Sequence, residues 1–175
     1  MTTYGMPFFL EDKTGKLTGS EFNDIHDRLH FTYRCTAYTP SHATYMIFSL
    51  STNPLIALSF GPKNALGTIS FPSNVVIPMT TYLVKVTTPK GRAWKFVASD
   101  GQEYFWSWRS QANQEWTCIN AKGYLIAYYS LKTPGEPHYE GSSGCSLTVE
   151  EPFGHLAAEM LGSLMILRHM VEHKL

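Results

Sequence analysis

Short runs of alternating hydrophobic and polar residues fill the chain from residue 31 to residue 150, and turn residues separate these runs. Residues 92–98 and 102–109, for example, flank Ser99-Asp100-Gly101. This is a strong hairpin signal, because aspartate followed by glycine suits the tight turn between two strands. About ten such runs follow one another at the spacing that is typical of all-β folds. The pattern therefore predicts a chain dominated by antiparallel strands.

The pattern changes at Pro152, where a first helical turn tolerates proline. Apolar residues between Leu156 and Val171 cover most of the circumference of a helix, and Glu159 is the only charged residue between Pro152 and Leu167. A helix that is apolar all round is buried in a protein core or in a membrane. This one would be about 24 Å long, at ~1.5 Å per residue, whereas a bilayer core needs about 30 Å. The length favours a helix inside a barrel, with a tail anchor or an ordinary packed helix as alternatives.

The fold class predicted is therefore mainly β: a closed antiparallel β-barrel of about 10–12 strands that encloses a hydrophobic C-terminal helix. We expect one domain over 1–175, with barrel strands in 31–150 and the central helix in 152–174. Residues 1–30 form an N-terminal extension, in which Ser20–Asp24 could cap a short helix that places Phe22, Ile25 and Leu29 on one face.

Composition adds a charge pattern to this picture. The 175 residues have a formal net charge of zero and only 16% charged residues, which excludes a disordered chain and a histone-like polycation. Residues 1–27 carry five acids and two bases, residues 28–99 carry seven bases and no acid, and residues 100–175 carry nine acids and five bases. The acid-free stretch predicts a basic surface, unless folding brings the acidic segments beside it.

Four of these bases lie around one predicted turn and form a candidate lipid- or anion-binding set, which Arg109 could join across the next hairpin. The alternative is a solvated strand face. The four bases are Lys85, Lys90, Arg92 and Lys95.

The tryptophans are a second candidate set. Packing in the core is one interpretation, and a surface that stacks on sugar rings, as in carbohydrate-binding proteins, is the other. The set consists of Trp94, Trp106, Trp108 and Trp116.

Catalytic and metal chemistry have weaker signals. His169-Met-Val-Glu172-His173 matches the letter pattern of inverted zinc peptidases, but the chain ends two residues later, which leaves no downstream third ligand, so we predict no metal site. Cys145 could be a nucleophile with His138 or His155 as its base, but a loop cysteine is the simpler interpretation. We therefore predict no catalytic residue and no cofactor.

The compartment follows from two further features. The chain starts with Met1–Leu10, which has no basic residue and so does not resemble a secretory signal. The three cysteines, Cys35, Cys118 and Cys145, are an odd number without close pairing, which argues against a disulfide framework. We expect a cytoplasmic protein with reduced thiols, possible association with a membrane surface and no transmembrane span.

Several segments resemble an uncharacterised fungal (basidiomycete-type) family that is placed near the tubby C-terminal-like superfamily, which includes tubby proteins, phospholipid scramblases and LURP-one-related proteins. The likeness covers roughly residues 43–174. Its motifs are Phe96-Val-Ala-Ser-Asp-Gly-Gln-Glu-Tyr104, Trp106-Ser-Trp-Arg109, Glu115-Trp-Thr-Cys118, Gly123-Tyr-Leu-Ile-Ala127 and the terminal Arg168-His-Met-Val-Glu-His173.

The resemblance implies a barrel around a hydrophobic C-terminal helix, and binding of phosphoinositides or membrane surfaces. No Asp-rich calcium loop precedes the helix here, which counts against scramblase activity. The function expected is a non-enzymatic binding module that recognises an anionic membrane lipid headgroup or a protein partner, and not nucleic acid. A small-molecule binder or enzyme with a pocket at the barrel mouth, and a fungal carbohydrate-binding protein, are the alternatives.

Overall fold

Antiparallel strands make up most of the computed structural model, which describes residues 5–175. Residues 1–4 lie outside the described residues. They begin both the predicted N-terminal extension and the segment that does not resemble a secretory signal. The strands are β1 (Phe8–Asp12), β2 (Gly19–Asp24), β3 (His30–Thr39), β4 (His42–Phe48), β5 (Pro54–Phe60), β6 (Leu66–Ser70), β7 (Val76–Pro78), β8 (Val84–Thr88), β9 (Gly91–Val97), β10 (Glu103–Gln111), β11 (Gln114–Asn120), β12 (Leu125–Ser130) and β13 (Cys145–Val149).

All of these strands belong to one sheet, in which neighbours along the chain pair as hairpins, except β7 and β8. The pairing of β1 with β13 instead places the first and last strands side by side in the middle of the sheet. The mainly β class predicted from alternation is therefore confirmed. The strand order is β7-β6-β5-β4-β3-β2-β1-β13-β12-β11-β10-β9-β8.

The sheet is open, so the closed barrel expected from the sequence is not confirmed. Its hydrogen-bonded ladder ends at β7 and β8, and the short helix α1 (Met79–Tyr82) connects these two edge strands. The ring of Tyr82 lies 5.9 Å from that of Phe71 and 5.5 Å from that of Phe96 on β9. Packed aromatic side chains thus cross the gap that backbone hydrogen bonds do not.

The C-terminal segment forms a 3₁₀ turn (Glu151–Leu156) followed by helix α2 (Ala157–Glu172). Every residue from Met160 to Leu167 is buried, as expected for a helix that is apolar all round. In the part of the chain that the structure describes, no helix has the length and hydrophobicity required to cross a membrane.

Strands from both halves of the sheet contact α2. On one side, Trp106 of β10 donates its indole N–H to the hydroxyl of Ser163 over 2.9 Å. On the other side, the Cα of Gly162 faces Ile56 of β5, whose Cδ1 lies 3.1 Å from where a Cβ would be. The helix is thus buried against both halves of the sheet.

The short helix expected over residues 20–29 is wrong, because Gly19–Asp24 is strand β2. Ser20, Phe22 and Asp24 alternate as buried residues, and two of them are polar, which hid the strand pattern. Their polarity is satisfied locally: Ser20 donates to the carboxylate of Asp12 at 2.5 Å, and Arg28 donates to that of Asp24 at 2.8 Å.

Candidate functional site

A cleft of about 920 Å³ opens at the C-terminal end of α2, which is within the usual range for small-molecule sites. We call it the helix-end cleft. Five segments that are distant in sequence line it: the β1–β2 turn, the β3–β4 hairpin, the turn after β5, the β10–β11 hairpin and the last turn of α2. Pairing of β1 with β13 brings these turns to one end of the sheet.

One wall of the helix-end cleft is a continuous series of stacked rings. Tyr33 and Tyr45 stack with centroids 5.2 Å apart, and Tyr45 meets Phe60 edge-on at 6.1 Å. Phe60 then stacks on His169 at 3.8 Å, and His169 lies 4.4 Å from the ring of His173. Contacts of this kind hold rings in fixed orientations. Tyr33, Phe60 and His169 are buried, so they support the two accessible rings, Tyr45 and His173.

His169 links this wall to the turn after β5. Its Nε2 lies 2.9 Å from the backbone carbonyl oxygen of Asn64. A carbonyl only accepts, so this nitrogen carries the proton. Burial lowers the pKa of His169, and the hydrogen bond to Asn64 opposes that effect only in part. The imidazole is therefore a neutral, oriented group at neutral pH.

A buried ion pair lies beneath the cleft. Arg168, which lines the cleft, has its guanidinium 3.6 Å from the carboxylate of fully buried Asp12 and 4.6 Å from the ring of Tyr129. The hydroxyl of Tyr129 donates to the same carboxylate at 2.6 Å, and burial raises the pKa of that phenol. Arg168 also donates to the carbonyl of Gly15 at 2.8 Å. Asp12 thus balances the charge of Arg168 and fixes its position.

Three other cations line the cleft: Lys16, Lys63 and Arg109. Among the described residues, none of the three forms an ion pair, and the two carboxylates that line the cleft, Glu115 and Glu172, form none either. The cleft therefore has an excess of one positive charge with its histidines neutral, and the excess grows if they are protonated.

Two of these cations are on strained backbone. Lys63 and Arg109 have φ angles of 55° and 49°, in the left-handed region that costs a residue with a side chain roughly 1–2 kcal/mol. Arg109 lies at a β-bulge where the β10–β11 register shifts, and its guanidinium stacks 4.5 Å from the Trp108 ring. Strain of this kind clusters at functional sites, although turn residues outside the cleft, such as Asp27 and Asn74, have it too.

Arg109 also borders a second, smaller cleft of about 360 Å³. Residues 111–115 and 131–134 form its other walls. Arg109 and Glu115 therefore separate two concave surfaces and can contact a ligand in either.

The predicted basic set is not one surface. Lys85, Lys90, Arg92 and Lys95 all lie on the β8–β9 hairpin, and none of them lines the cleft that contains Arg109. Lys85 pairs in register with Trp94, whereas Lys95 pairs with Val84 and so points to the opposite face. Lys95 also forms an ion pair with Glu103 at 3.7 Å. Of the set, Arg109 alone lines the helix-end cleft.

The bases of residues 28–99 divide in the same way. Arg28 is bound to Asp24, and the guanidinium of Arg34 lies over the ring of Phe48. Lys63 lines the helix-end cleft, and the other four bases are on the β8–β9 hairpin. Folding therefore separates three of the seven bases and keeps the other four on one hairpin.

The four tryptophans do not form a stacking surface. Trp106 and Trp116 are core residues with exposures of 0% and 2%, so their faces are unavailable to a ligand. Trp94 is half-buried against the core, and Trp108 is exposed at the cleft. Core packing, the alternative interpretation, is therefore correct for Trp106 and Trp116. Trp108 is the tryptophan that lines the helix-end cleft and could stack on a ligand there.

The residues considered for catalysis and metal binding lie as follows. Within residues 5–175, no group of three histidine, cysteine, aspartate or glutamate side chains is arranged to hold a metal ion. Cys145 lies on β13 with its thiol near the β1–β2 turn, whereas His138 is in the preceding loop and His155 is on the 3₁₀ turn, both exposed. Burial raises the pKa of the Cys118 thiol, which makes it a poor nucleophile.

Sequence reasoning missed most of the cleft, including Lys16, Lys63 and Tyr33. A weak signal existed at Gly61-Pro62-Lys63-Asn64, where a turn with a charged residue is predicted, but nothing linked it to Arg109. Comparison of the chain with family models, with curated proteins and with solved structures found no match. The resemblance to the tubby-like superfamily therefore stays a proposal.

Proposed function

We propose that this protein is a binding module whose ligand has an anionic group, held in the helix-end cleft by Lys63, Arg109 and Lys16. The observation that carries the proposal is the convergence of three unpaired cations, two of them on left-handed backbone, in one cleft. Cations left without partners in a concave site are available to form charge-assisted hydrogen bonds with a phosphate or carboxylate.

The rest of the ligand is organic, because Tyr45 and His173, the two rings of the wall that are not buried, offer apolar ring surface to the cleft. Trp108 with Arg109 stacked on it provides a second flat surface beside the cations. A phosphate monoester attached to a ring or chain fits both features. It can come from the headgroup of an anionic lipid or from a soluble phosphorylated compound, and the experiment below distinguishes these sources.

We include in the same proposal that this chain is related to the tubby-like superfamily. A mainly β fold with a buried C-terminal helix supports it, as do the motifs between residues 96 and 127. The lipid version of the proposal includes a cytoplasmic protein at a membrane surface. We assign binding and no reaction to the cleft.

The test is thermal unfolding of the protein with inorganic phosphate and with phenyl phosphate. We expect both to raise the unfolding midpoint, and phenyl phosphate to do so at lower concentration, because a ligand that binds only the folded state stabilises it. Lys63→Gln and Arg109→Gln should each weaken the response about tenfold, the loss of one charge-assisted contact. Lys122→Gln, on an exposed turn at the other end of the sheet, is the matched control and should respond like the parent.

Vesicles distinguish the two sources of the phosphate. Sedimentation with phosphatidylcholine vesicles that contain phosphatidic acid, and not with phosphatidylcholine alone, indicates a lipid headgroup, provided that Arg109→Gln reduces it. Stabilisation by phenyl phosphate without sedimentation indicates a soluble ligand. The proposal is wrong if neither phosphate stabilises the protein, or if both stabilise Lys63→Gln and Arg109→Gln as well as they stabilise the parent.

A further inference from the structure

Strand β8 (Val84–Thr88) ends the sheet with an unpaired backbone edge. Unpaired edges template pairing with another chain, and proteins usually protect them with proline or by keeping the strand very short. The other edge, β7, has both protections, since it has three residues and ends in Pro78. β8 has five residues and no proline.

The backbone groups that face outward from β8 can be identified. Pro89 and Lys90 form a two-residue turn between Thr88 and Gly91, which are paired. The residues that flank such a turn exchange hydrogen bonds, and bonded and free positions alternate from there. The backbone groups of Thr88, Val86 and Val84 therefore bond to β9. Those of Lys85 and Thr87 point to the open edge. Both residues are exposed, and within residues 5–175 no backbone hydrogen bond outside the ladder reaches β8.

The charge of this hairpin has one sign. Residues 84–97 contain four bases and no acid, and Lys85, Lys90 and Arg92 are exposed. Only Lys95 has a carboxylate partner among the described residues. Lys85 and Arg92 lie on the same face of the hairpin, because Lys85 pairs with Trp94 and Arg92 is two residues from Trp94 on β9.

The β8 residues on the opposite face of this edge are apolar. Val84, which is 41% exposed, and half-buried Val86 lie there, and Lys95 behind them on β9 is paired with Glu103. A strand added at β8 would therefore have its alternate side chains beside cations on one face and beside valines on the other.

We propose that the β8 edge binds an extended acidic segment of another protein, which adds a strand to the sheet and alternates acidic with apolar residues. Addition of a strand uses main-chain hydrogen bonds for affinity and alternate side chains for specificity. Only a polypeptide can complete the N–H and C=O groups of Lys85 and Thr87 in this way, which favours a peptide over a lipid surface. A second copy of this chain is disfavoured, because pairing two β8 edges would bring the two sets of bases together.

This surface is separate from the helix-end cleft, so the inference goes beyond the proposed function. The probe is a fluorescein-labelled synthetic peptide of alternating glutamate and valine, with binding followed by fluorescence anisotropy. We expect saturable binding that weakens as salt is added. A peptide in which glutamine replaces glutamate should bind more weakly.

The decisive variants are Thr87→Pro and Thr87→Val. Proline removes an outward N–H without removing a bond to β9, whereas valine keeps that N–H and the β-branched shape. Thr87→Pro should weaken peptide binding about tenfold or more, the loss of at least one hydrogen bond, and Thr87→Val should bind like the parent. Lys63→Gln, in the helix-end cleft, should also bind like the parent, so failure of this inference and failure of the proposed function are distinguishable.

Amide hydrogen exchange of the parent protein provides a test that does not depend on how well Thr87→Pro folds. On addition of the peptide, the N–H groups of Lys85 and Thr87 should become protected, while those of Val84 and Val86 should change little. The inference is overturned if no peptide binds, if protection appears elsewhere on the sheet, or if folded Thr87→Pro binds as tightly as Thr87→Val. Sedimentation with phosphatidic acid vesicles through Lys85 and Arg92, without binding of the peptide, would identify the hairpin as a lipid surface instead.

Discussion

The indole N–H of Trp106 on β10 donates to the hydroxyl of Ser163 in the middle of α2 over 2.9 Å, and neither residue has measurable solvent exposure. The Ser163 hydroxyl in turn donates to the backbone carbonyl of Met160 at 3.0 Å. A buried serine is thus one polar connection between the central helix and the sheet, and the ion pair of Arg168 with Asp12 is another. Such connections select one rotation of a helix whose apolar surface alone would allow several orientations.

Ser163→Ala should destabilise the protein, because it leaves the Trp106 N–H buried without an acceptor. The expected loss is about 1–3 kcal/mol in the free energy of unfolding, measured by urea denaturation followed through tryptophan fluorescence. Ser110→Ala, at an exposed position of the same strand, is the control and should change stability by no more than about 0.5 kcal/mol. Equal effects of the two substitutions would show that the hydrogen bond does not orient the helix.

Gly162 permits the close approach of α2 to β5, because it has no side chain. A Cβ at this position would lie 3.1 Å and 3.4 Å from two carbons of Ile56 and 3.7 Å from Cδ1 of Ile47. Gly162→Leu should therefore destabilise the fold by about 1–3 kcal/mol through overpacking. In Gly162→Ala, the same crowding offsets a gain in helix propensity of about 1 kcal/mol. Calorimetric unfolding of both variants checks this order, with Val171→Leu at the exposed end of the helix as control, and a leucine tolerated as well as alanine would contradict it.

The sequence predicted the parts of the fold that depend on local pattern. Alternation indicated the strands of residues 31–150, and apolar residues on all sides of 156–171 indicated a buried helix. It missed β2 because Ser20 and Asp24 occupy buried positions, and their polarity is accommodated by partners outside β2, among them Asp12 and Arg28. Closure of the sheet was also beyond local pattern, since it depends on how edge strands β7 and β8 end.

The candidate site was harder to predict because its residues are far apart in the chain. Lys16, Lys63 and Arg109 approach one another only through the strand order, in which β1 and β13 join the two halves of the sheet. Grouping bases by proximity in sequence instead selected Lys85 to Lys95, which form a hairpin outside the cleft. Alternation shows which residues share a face of a strand, but not which face is buried. For this reason the sequence could not exclude Trp106 and Trp116 from a ligand-stacking surface.

Stability should fall as the pH is lowered below about 6.5, and His169 should account for a measurable part of the fall. Burial lowers the pKa of His169 in the folded protein, whereas the unfolded chain has the ordinary value of about 6.5. The unfolded state thus binds more protons between these two pKa values, so the contribution of His169 is complete above the unfolded pKa and is lost as the pH falls through the folded one. His169→Gln keeps an N–H donor for Asn64 and does not titrate. The unfolding midpoint of His169→Gln, measured from pH 7.5 to about pH 5, should therefore vary less with pH than that of the parent. His138→Gln, at an exposed loop position, is the control, and its midpoint should vary as much as that of the parent. Parallel curves for the parent and His169→Gln would show that the buried imidazole is not the source of the pH dependence.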